Sequence, residues 1–348
     1  MGAQTHKPKE QQGAWKGKNP FGTWMERRIN GEIAPLRGTV VFAHDWGTDG
    51  AQTNIELLVR NICEGARCNV DFLTIPGLSP LGSPIRAALE LDRILDTNLL
   101  SIRASIAVQR RIRSKIAERL PRIALVNVYD REVGSKREPV IATGKIKICD
   151  EQNPLWIKVG LVGPLENGII GYIGRRIEDL KVNKIENPIL AIERNCATWD
   201  GRALFGPAAA WFVSGVNGDY FGDRIFEIEK YPKIVLAYSI ERNKVKFDVI
   251  DVDAIGNVVS SIPNSEFDKL PAKLVLNGNR KIIISKGTKF SDVAQGSAVF
   301  YRGSNGFIEF AINCSRFNEI AGIDSNFGST KEGGQIRSEG KVELQIIG

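Results

Sequence analysis

Apolar residues along this 348-residue chain follow two rhythms. From Thr39 to about residue 230, short unbroken apolar runs alternate with stretches of helical spacing. Beyond that point the runs are short and β-rich, and turns of Gly, Asn and Asp separate them. In the first part, Thr39–Ala43 reads as a buried strand, Val70–Ile75 as a second, Ile123–Val128 as a continuous apolar third and Ile157–Val162 as a fourth. Between them, Ile55, Leu58, Val59 and Ile62 recur at helical spacing over residues 52–64. A longer helical pattern runs from about Pro84 to Leu120, through Leu89, Ile94, Leu95 and Leu99, then Ile102, Ile106, Ile112 and Ile116. Strands alternating with helices predict an α/β domain with a mainly parallel sheet.

The second part offers Lys233–Tyr238, Val245–Val252, Lys273–Leu276, Lys281–Ser285, Ala298–Tyr301, Phe307–Ile312 and Val342–Ile347 as strands. Their spacing predicts a small antiparallel β-barrel-like domain. The resulting division is a tail at 1–38, an α/β domain at 39–230 and a β domain at 231–348, with the change of pattern between 225 and 243.

An apolar fraction of 43% and a charged fraction of 25% are ordinary for a globular protein of two domains. Charge adds more. The net charge is +7, and residues 1–38 hold seven basic residues against three acids. The second half of the long helical pattern, residues 101–119, carries Arg103, Arg110, Arg111, Arg113, Lys115 and Arg119. Both segments are candidate contacts for an acidic partner or a nucleic acid. Both also read as solvated surface, one an extension and the other a helix face.

The tail lacks the apolar core of a secretory signal, and His6 stands where myristoylation requires Ser or Thr. No apolar run is long enough to span a bilayer. Five scattered cysteines (Cys63, Cys68, Cys149, Cys196 and Cys314) fit reduced thiols, and the expected location is cytoplasmic. Cys63 and Cys68 alone fall short of the four ligands of a zinc site, and no metal is implied. His6 and His44 are the only histidines. His44, at a strand end, reads as a satisfied histidine or as the one candidate for His-dependent chemistry.

Ligands of open α/β sheets gather at the carboxyl ends of strands. Asp45 and Asp130 each follow such a strand. Asp45-Trp46-Gly47-Thr48 resembles the first-strand motif D-F-G-T of the S-adenosylmethionine (SAM) hydroxide adenosyltransferase, chlorinase and fluorinase family. Tyr129-Asp130-Arg131-Glu132-Val133-Gly134-Ser135-Lys136-Arg137 resembles V-D-P-G-V-G-T-x-R, with Asp and Arg seven apart. Val162-Gly163-Pro164-Leu165-Glu166-Asn167-Gly168 resembles V-G-P-D-N-G with one residue more. The run Asp200-Gly201-Arg202-Ala203-Leu204-Phe205-Gly206-Pro207 resembles H-G-R-D-x-F-A-P. In the second domain, Asp253-Ala254-Ile255-Gly256-Asn257 resembles D-x-F-G-N, and the run from Ser304 to Asn313 resembles S-x-G-Y-L-E-I-A-x-N. Six motifs in order span residues 39–348; the tail, the basic helix and a stretch at Ser325–Glu339 fall outside them.

The resemblance implies attack of water or halide on C5′ of SAM, with methionine leaving as a neutral thioether. SAM is then substrate or ligand, and no further cofactor is implied. Asp45 would grip the ribose diol, with Thr48 as a companion. Asn257, Ser304 and Asn305 would hold the methionine end, and the backbone around Ile312 and Cys314 would face adenine. Asp130 and Arg137 match two of the three residues that activate water; the third, a His in the family, is Asp200 here. The resemblance also implies a homotrimer with sites between subunits.

Read without the resemblance, Asp45 is a turn or N-cap aspartate, Asn257 and Ser304 are turn formers, and Asp200 is a partner for Arg137 or Arg202. The family's Asp five residues after the first is Gly50 here. A carboxylate at 200 would repel halide, which leaves two readings. In the first, Asp130 and Asp200 share a pocket, one is pushed to a useful pKa, and SAM is hydrolysed to adenosine and methionine. In the second, the chain is a catalytically silent relative, kept as a SAM-binding or structural subunit of a larger assembly.

Overall fold

The computed structural model describes residues 36–43, 50–75, 84–108, 120–127, 138–148, 154–190, 201–277, 281–325 and 329–346. His44, Asp45, Thr48, Asp130, Arg137, Asp200 and most of the basic tail lie outside the described residues, as do Arg110, Arg111, Arg113, Lys115 and Arg119.

Among the described residues, the N-terminal domain is built on a seven-stranded sheet. Its strands are β1 (Leu36–Ala43), β2 (Cys68–Ile75), β3 (Arg122–Asn127), β4 (Pro139–Lys147), β5 (Trp156–Pro164), β6 (Glu178–Lys184) and β7 (Arg224–Ile225). The order is β2-β1-β3-β5-β4-β6-β7. The first four in that order run parallel. The rest pair antiparallel, so a parallel half is extended by an antiparallel one.

Both faces are covered, as parallel strands require. One face carries Leu91, Leu95 and Leu99 of the helix Pro84–Val108, together with the short helix Ile169–Gly174. The other carries Ile55 and Val59 of the helix Gly50–Gly65 and the apolar helix Gly206–Val213. Arg103, the first cation of the basic stretch, is exposed but tied to the sheet: its Nε donates to the Ile148 carbonyl at 2.9 Å.

The C-terminal domain holds β9 (Tyr238–Ile240), β10 (Lys244–Val252), β11 (Val258–Pro263), β12 (Lys273–Asn277), β13 (Lys281–Lys286), β14 (Ala298–Arg302), β15 (Phe307–Ile312) and β18 (Lys341–Ile346). Seven of these close on themselves in the order β11-β15-β14-β13-β12-β18-β10, because β10 pairs back onto β11; β9 adds to β10. Phe247, Phe300, Phe310 and Phe317 fill the barrel, with ring centroids 4.9–5.9 Å apart. The fold class is therefore α/β followed by a closed β-barrel.

Three short strands join the domains. β8 (Lys233–Ile234) pairs with β17 (Gln335–Ser338), which forms a hairpin with β16 (Ser329–Glu332). Ile336 of this hairpin is buried with Ile85 of the long helix and with Ile250 and Val259 of the barrel. Beside them Arg86 pairs with Asp251 and donates to the Val252 carbonyl at 2.8 Å. Among the described residues, no helix is long and apolar enough to cross a membrane.

Candidate functional site at the sheet edge and barrel cleft

Ala43, the last residue of β1, is level with Ile75 of β2 and Asn127 of β3. Val126 is level with Val162 of β5, so Gly163 follows on the same row. The chain thus leaves four parallel strands along one edge of the sheet. In sequence, Asp45 comes two residues after Ala43, and Asp130 three after Asn127. The edge is where α/β sheets bind ligands.

The turn after β5 is tied to this edge by side chains. Asn127 and Asn167 are both buried, and the Nδ2 of Asn167 donates to the Oδ1 of Asn127 at 2.6 Å. The Oδ1 of Asn167 accepts from the Ile169 backbone at 3.1 Å. Gly163 is required there, because a Cβ would stand 2.6 Å from the Asn127 carbonyl oxygen. Glu138, next in sequence to Arg137, is also anchored. Its backbone N–H donates to Glu166 at 2.8 Å, and its carboxylate takes Lys184 at 2.7 Å and the Tyr231 hydroxyl. Holding that hydroxyl on a carboxylate pushes Tyr231 up to about 12, so the phenol stays a donor at neutral pH.

Gly201, the neighbour of Asp200, opens a π-helical turn, Gly201–Phe205, that runs into the helix Gly206–Val213. The far end of that helix lies at the amino edge of the sheet, where Arg122 at the start of β3 donates to the carbonyls of Phe212 (3.0 Å) and Val216 (3.1 Å). Gly206 sits against Ile55, early in the helix that follows β1. The helix therefore runs antiparallel to the strands, and the π-turn lies toward the carboxyl edge. Such turns concentrate at functional positions.

The barrel contributes a cleft of about 480 Å³ lined by Ile255, Asn257, Phe290, Ile312, Cys314 and Arg316, among others. Asn257 is held by Asp253, whose Oδ1 accepts from the Asn257 and Ile255 backbones (2.8 and 3.0 Å) and whose Oδ2 accepts from the Asn257 Nδ2 (3.0 Å). Gly256 makes this turn at φ 86°. Asn257, Ile312 and Cys314 thus share one cleft.

Ser304 and Asn305 do not line it. They occupy the β14–β15 turn, at the opposite end of β15 from Ile312, with the Ser304 Oγ 3.5 Å from the Asn305 Oδ1. Between the two ends, on the outer face of the barrel, stands Glu309. Burial pushes its carboxyl up, while the Tyr301 hydroxyl and the Ser304 backbone N–H hydrogen-bond to it, and Asp253 lies close enough to repel it. Asp253, Tyr301 and Glu309 were not among the residues expected from the sequence. The signal available was their place inside or beside two motifs, Asp253 opening one and Glu309 in the middle of the other.

Residues 247–327 match the SAM hydroxide adenosyltransferase C-terminal domain. A (R)-S-adenosyl-L-methionine hydrolase of Thermus thermophilus is 26% identical over 220 residues, covering 63% of this chain and 76% of that protein. Two solved structures share the fold. An uncharacterized conserved protein from Thermotoga maritima aligns with a TM-score of 0.61 at 19% identity, over 88% of this chain and 99% of that one. A conserved hypothetical protein from Thermus thermophilus gives 0.58 at 18%, over 90% and 100%.

Proposed function

We propose, from the match of residues 247–327 to the SAM hydroxide adenosyltransferase C-terminal domain, that the chain binds SAM and hydrolyses it to adenosine and L-methionine. The observation that carries this reading is the barrel cleft. The part of the chain that matches the family's own domain is the part that gathers Asn257, Ile312 and Cys314 around one opening. The name of the Thermus thermophilus hydrolase supports the same substrate. The carboxyl edge supports it from the other domain, since the two strands that precede Asp45 and Asp130 end level with each other.

In this reading Asp45 and Thr48 hold the ribose. Asn257 and the Ser304–Asn305 turn hold the methionine end, where the carboxylates of Asp253 and Glu309 suit an ammonium group. Asp130, Arg137 and Asp200 orient one water. Its oxygen bonds to C5′, the C5′–S bond breaks, and the electron pair stays on sulfur, giving methionine. The water proton passes to a carboxylate of the Asp130–Asp200 pair. Two close carboxylates hold one proton more tightly than either alone, which makes one of them a base of useful strength.

Ile255 and Phe290 at the cleft are 66% and 54% exposed. Apolar groups on a rim that open are suited to cover by another subunit. A homotrimer, in which the cleft of one copy meets the sheet edge of the next, covers them and completes the site. Light scattering of the purified chain tests this.

Asp200 in place of the family's His supports a second reading, a silent SAM-binding or structural subunit. Incubation with SAM and chromatography for adenosine separates the two. Product that is lost in Asp130→Ala and Asp200→Ala supports hydrolysis; no product, with SAM binding retained, supports the second reading.

A further inference from the structure

The opposite, amino edge of the same sheet holds a second cleft, of about 390 Å³, lined by Arg122, Thr143, Lys145, Lys158, Lys181, Phe212 and Asn217, among others. Its cations form a pattern that folding alone does not favour. Lys145 of β4 and Lys158 of β5 are direct cross-strand partners. Arg122 precedes Ile123, the partner position to Val159, so it flanks Lys158 from β3. Lys181 of β6 is the partner of Thr143, two residues from Lys145 and on the same face. Four neighbouring strands therefore present positive charge on one face. Like charges directly opposed on adjacent strands destabilise a sheet.

Three of these cations also have local work. Arg122 caps the helix Gly206–Val213 through the Phe212 and Val216 carbonyls. Lys145 pairs with Asp179 at 2.7 Å and lies over the Trp156 ring. Lys181 stands 4.0 Å from Asp219. Lys158 differs: among the described residues no acid pairs with it, and Arg122 is the main influence that lowers its pKa from the usual lysine range. Asp179 is the only acid lining the cleft among the described residues.

We propose that this cleft binds a small polyphosphate anion, with Lys158 as the central contact. Strands about 4.8 Å apart spread the row Arg122, Lys158, Lys145 over roughly 10 Å. One carboxylate answers one such cation. A chain of phosphoryl groups answers all three, each oxygen accepting a charge-assisted hydrogen bond. Thr143 and Asn217 add a hydroxyl and an amide at the same opening. The chemistry is shared by inorganic polyphosphate and by the phosphate tail of a nucleotide. A recess walled by Phe212 and Gly215–Gly218 fits such a chain better than a nucleic-acid backbone. The site lies across the sheet from the proposed SAM site and stands independently of it.

The test is calorimetric titration of the full chain with inorganic triphosphate, with ATP and with a single-stranded oligonucleotide, at about 0.15 M salt to suppress long-range attraction. Lys158→Met and Lys158→Glu are titrated in parallel, and their ligand-free Tm is measured. The expected result is saturable binding of triphosphate, weakened roughly tenfold or more in both variants through loss of a charge-assisted contact. Equal affinity for ATP assigns recognition to the phosphate chain, and tighter ATP binding adds its nucleoside. The ligand-free Tm of Lys158→Met should equal or exceed that of the parent, because the substitution removes repulsion. Three results overturn the proposal. One is no saturable binding of triphosphate or ATP, including binding of the oligonucleotide alone. Another is undiminished binding in both variants. The last is a lower Tm in Lys158→Met, which would mean that an acid such as Asp150 or Glu151, outside the described residues, already holds this lysine.

Discussion

The side-chain amide of Asn167 donates to the Oδ1 of Asn127 at 2.6 Å, joining the turn after β5 to the last residue of β3. Both residues are buried, and the chain continues from Asn127 toward Asp130. The bond fixes the point from which the proposed catalytic loop departs.

Removing the donor should therefore cost stability. Asn167→Ala leaves the buried Asn127 oxygen without this partner, a loss of about 1–3 kcal/mol. Gly163→Ala presses a Cβ on the same asparagine and should cost at least as much. Chemical denaturation measures both; wild-type midpoints in both variants would contradict this role.

Gly256→Ala addresses the barrel half of the site. A Cβ there would meet the Asn318 Oδ1 at 2.6 Å and the Arg316 Cβ at 2.7 Å, and the residue sits at φ 86°. The left-handed conformation alone costs a non-glycine residue about 1–2 kcal/mol. The turn that holds Asn257 should distort, and SAM affinity measured by calorimetry should fall more than the Tm does.

Asp248 supplies a pH test. It is buried, its Oδ2 accepts from the Ala237 backbone at 2.9 Å, and desolvation raises its pKa. A raised carboxyl pKa means that the folded protein binds the proton more tightly than the unfolded chain. The resulting stabilisation is present at low pH and is lost as pH rises through the folded value. Asp248→Asn, neutral at every pH, should therefore raise the Tm at pH 7 relative to the parent. The gain should disappear at acid pH, where the parent carboxyl is itself protonated. A gain that does not depend on pH would assign the effect to something other than charge.

Ile336 tests the docking of the two domains. It is 4% exposed between Ile85 of one domain and Ile250 and Val259 of the other. Ile336→Ala removes buried volume worth about 2–5 kcal/mol. A single unfolding transition should split or broaden as the domains uncouple; an unchanged transition would place the coupling elsewhere.

These elements were unequally legible in the sequence. β1 and β3 stand out because a strand buried on both faces reads as a continuous apolar run; β2, at the edge of the sheet, shows instead as an apolar–polar alternation with Asn69, Asp71 and Leu73 exposed. β4 and β6 do not: PVIATGKIK is broken by Gly144 and Lys145, and EDLKVNK is mostly polar, being nearer the edge of the sheet. β11 hides for a different reason. Its VVSSIP buries Ser260 and Ser261, which the fold satisfies by donation to the Ile308 and Ala237 carbonyls at 2.8 and 2.5 Å. Yet β11 is the strand that closes the barrel. The stretch at Ser325–Glu339, unlike any family motif, contains the β16–β17 hairpin that joins the domains, and only tertiary pairing with Lys233–Ile234 reveals that use. In the site, the family resemblance grouped Asn257 with Ser304 and Asn305 and set Ile312 and Cys314 apart; it could not show that Asn257 shares a cleft with Ile312 and Cys314 while Ser304 sits at the far end of β15. The cationic cleft was invisible because Arg122, Lys145, Lys158 and Lys181 come from four separate strands.

The most direct measurement is the product formed when the purified chain is incubated with SAM. The account predicts adenosine and methionine in equal amounts, with adenosine lost in Asp130→Ala and reduced when Asn257→Ala weakens SAM binding. SAM that stays intact in the presence of a correctly folded chain would contradict hydrolysis, and SAM that fails to bind at all would contradict the site itself.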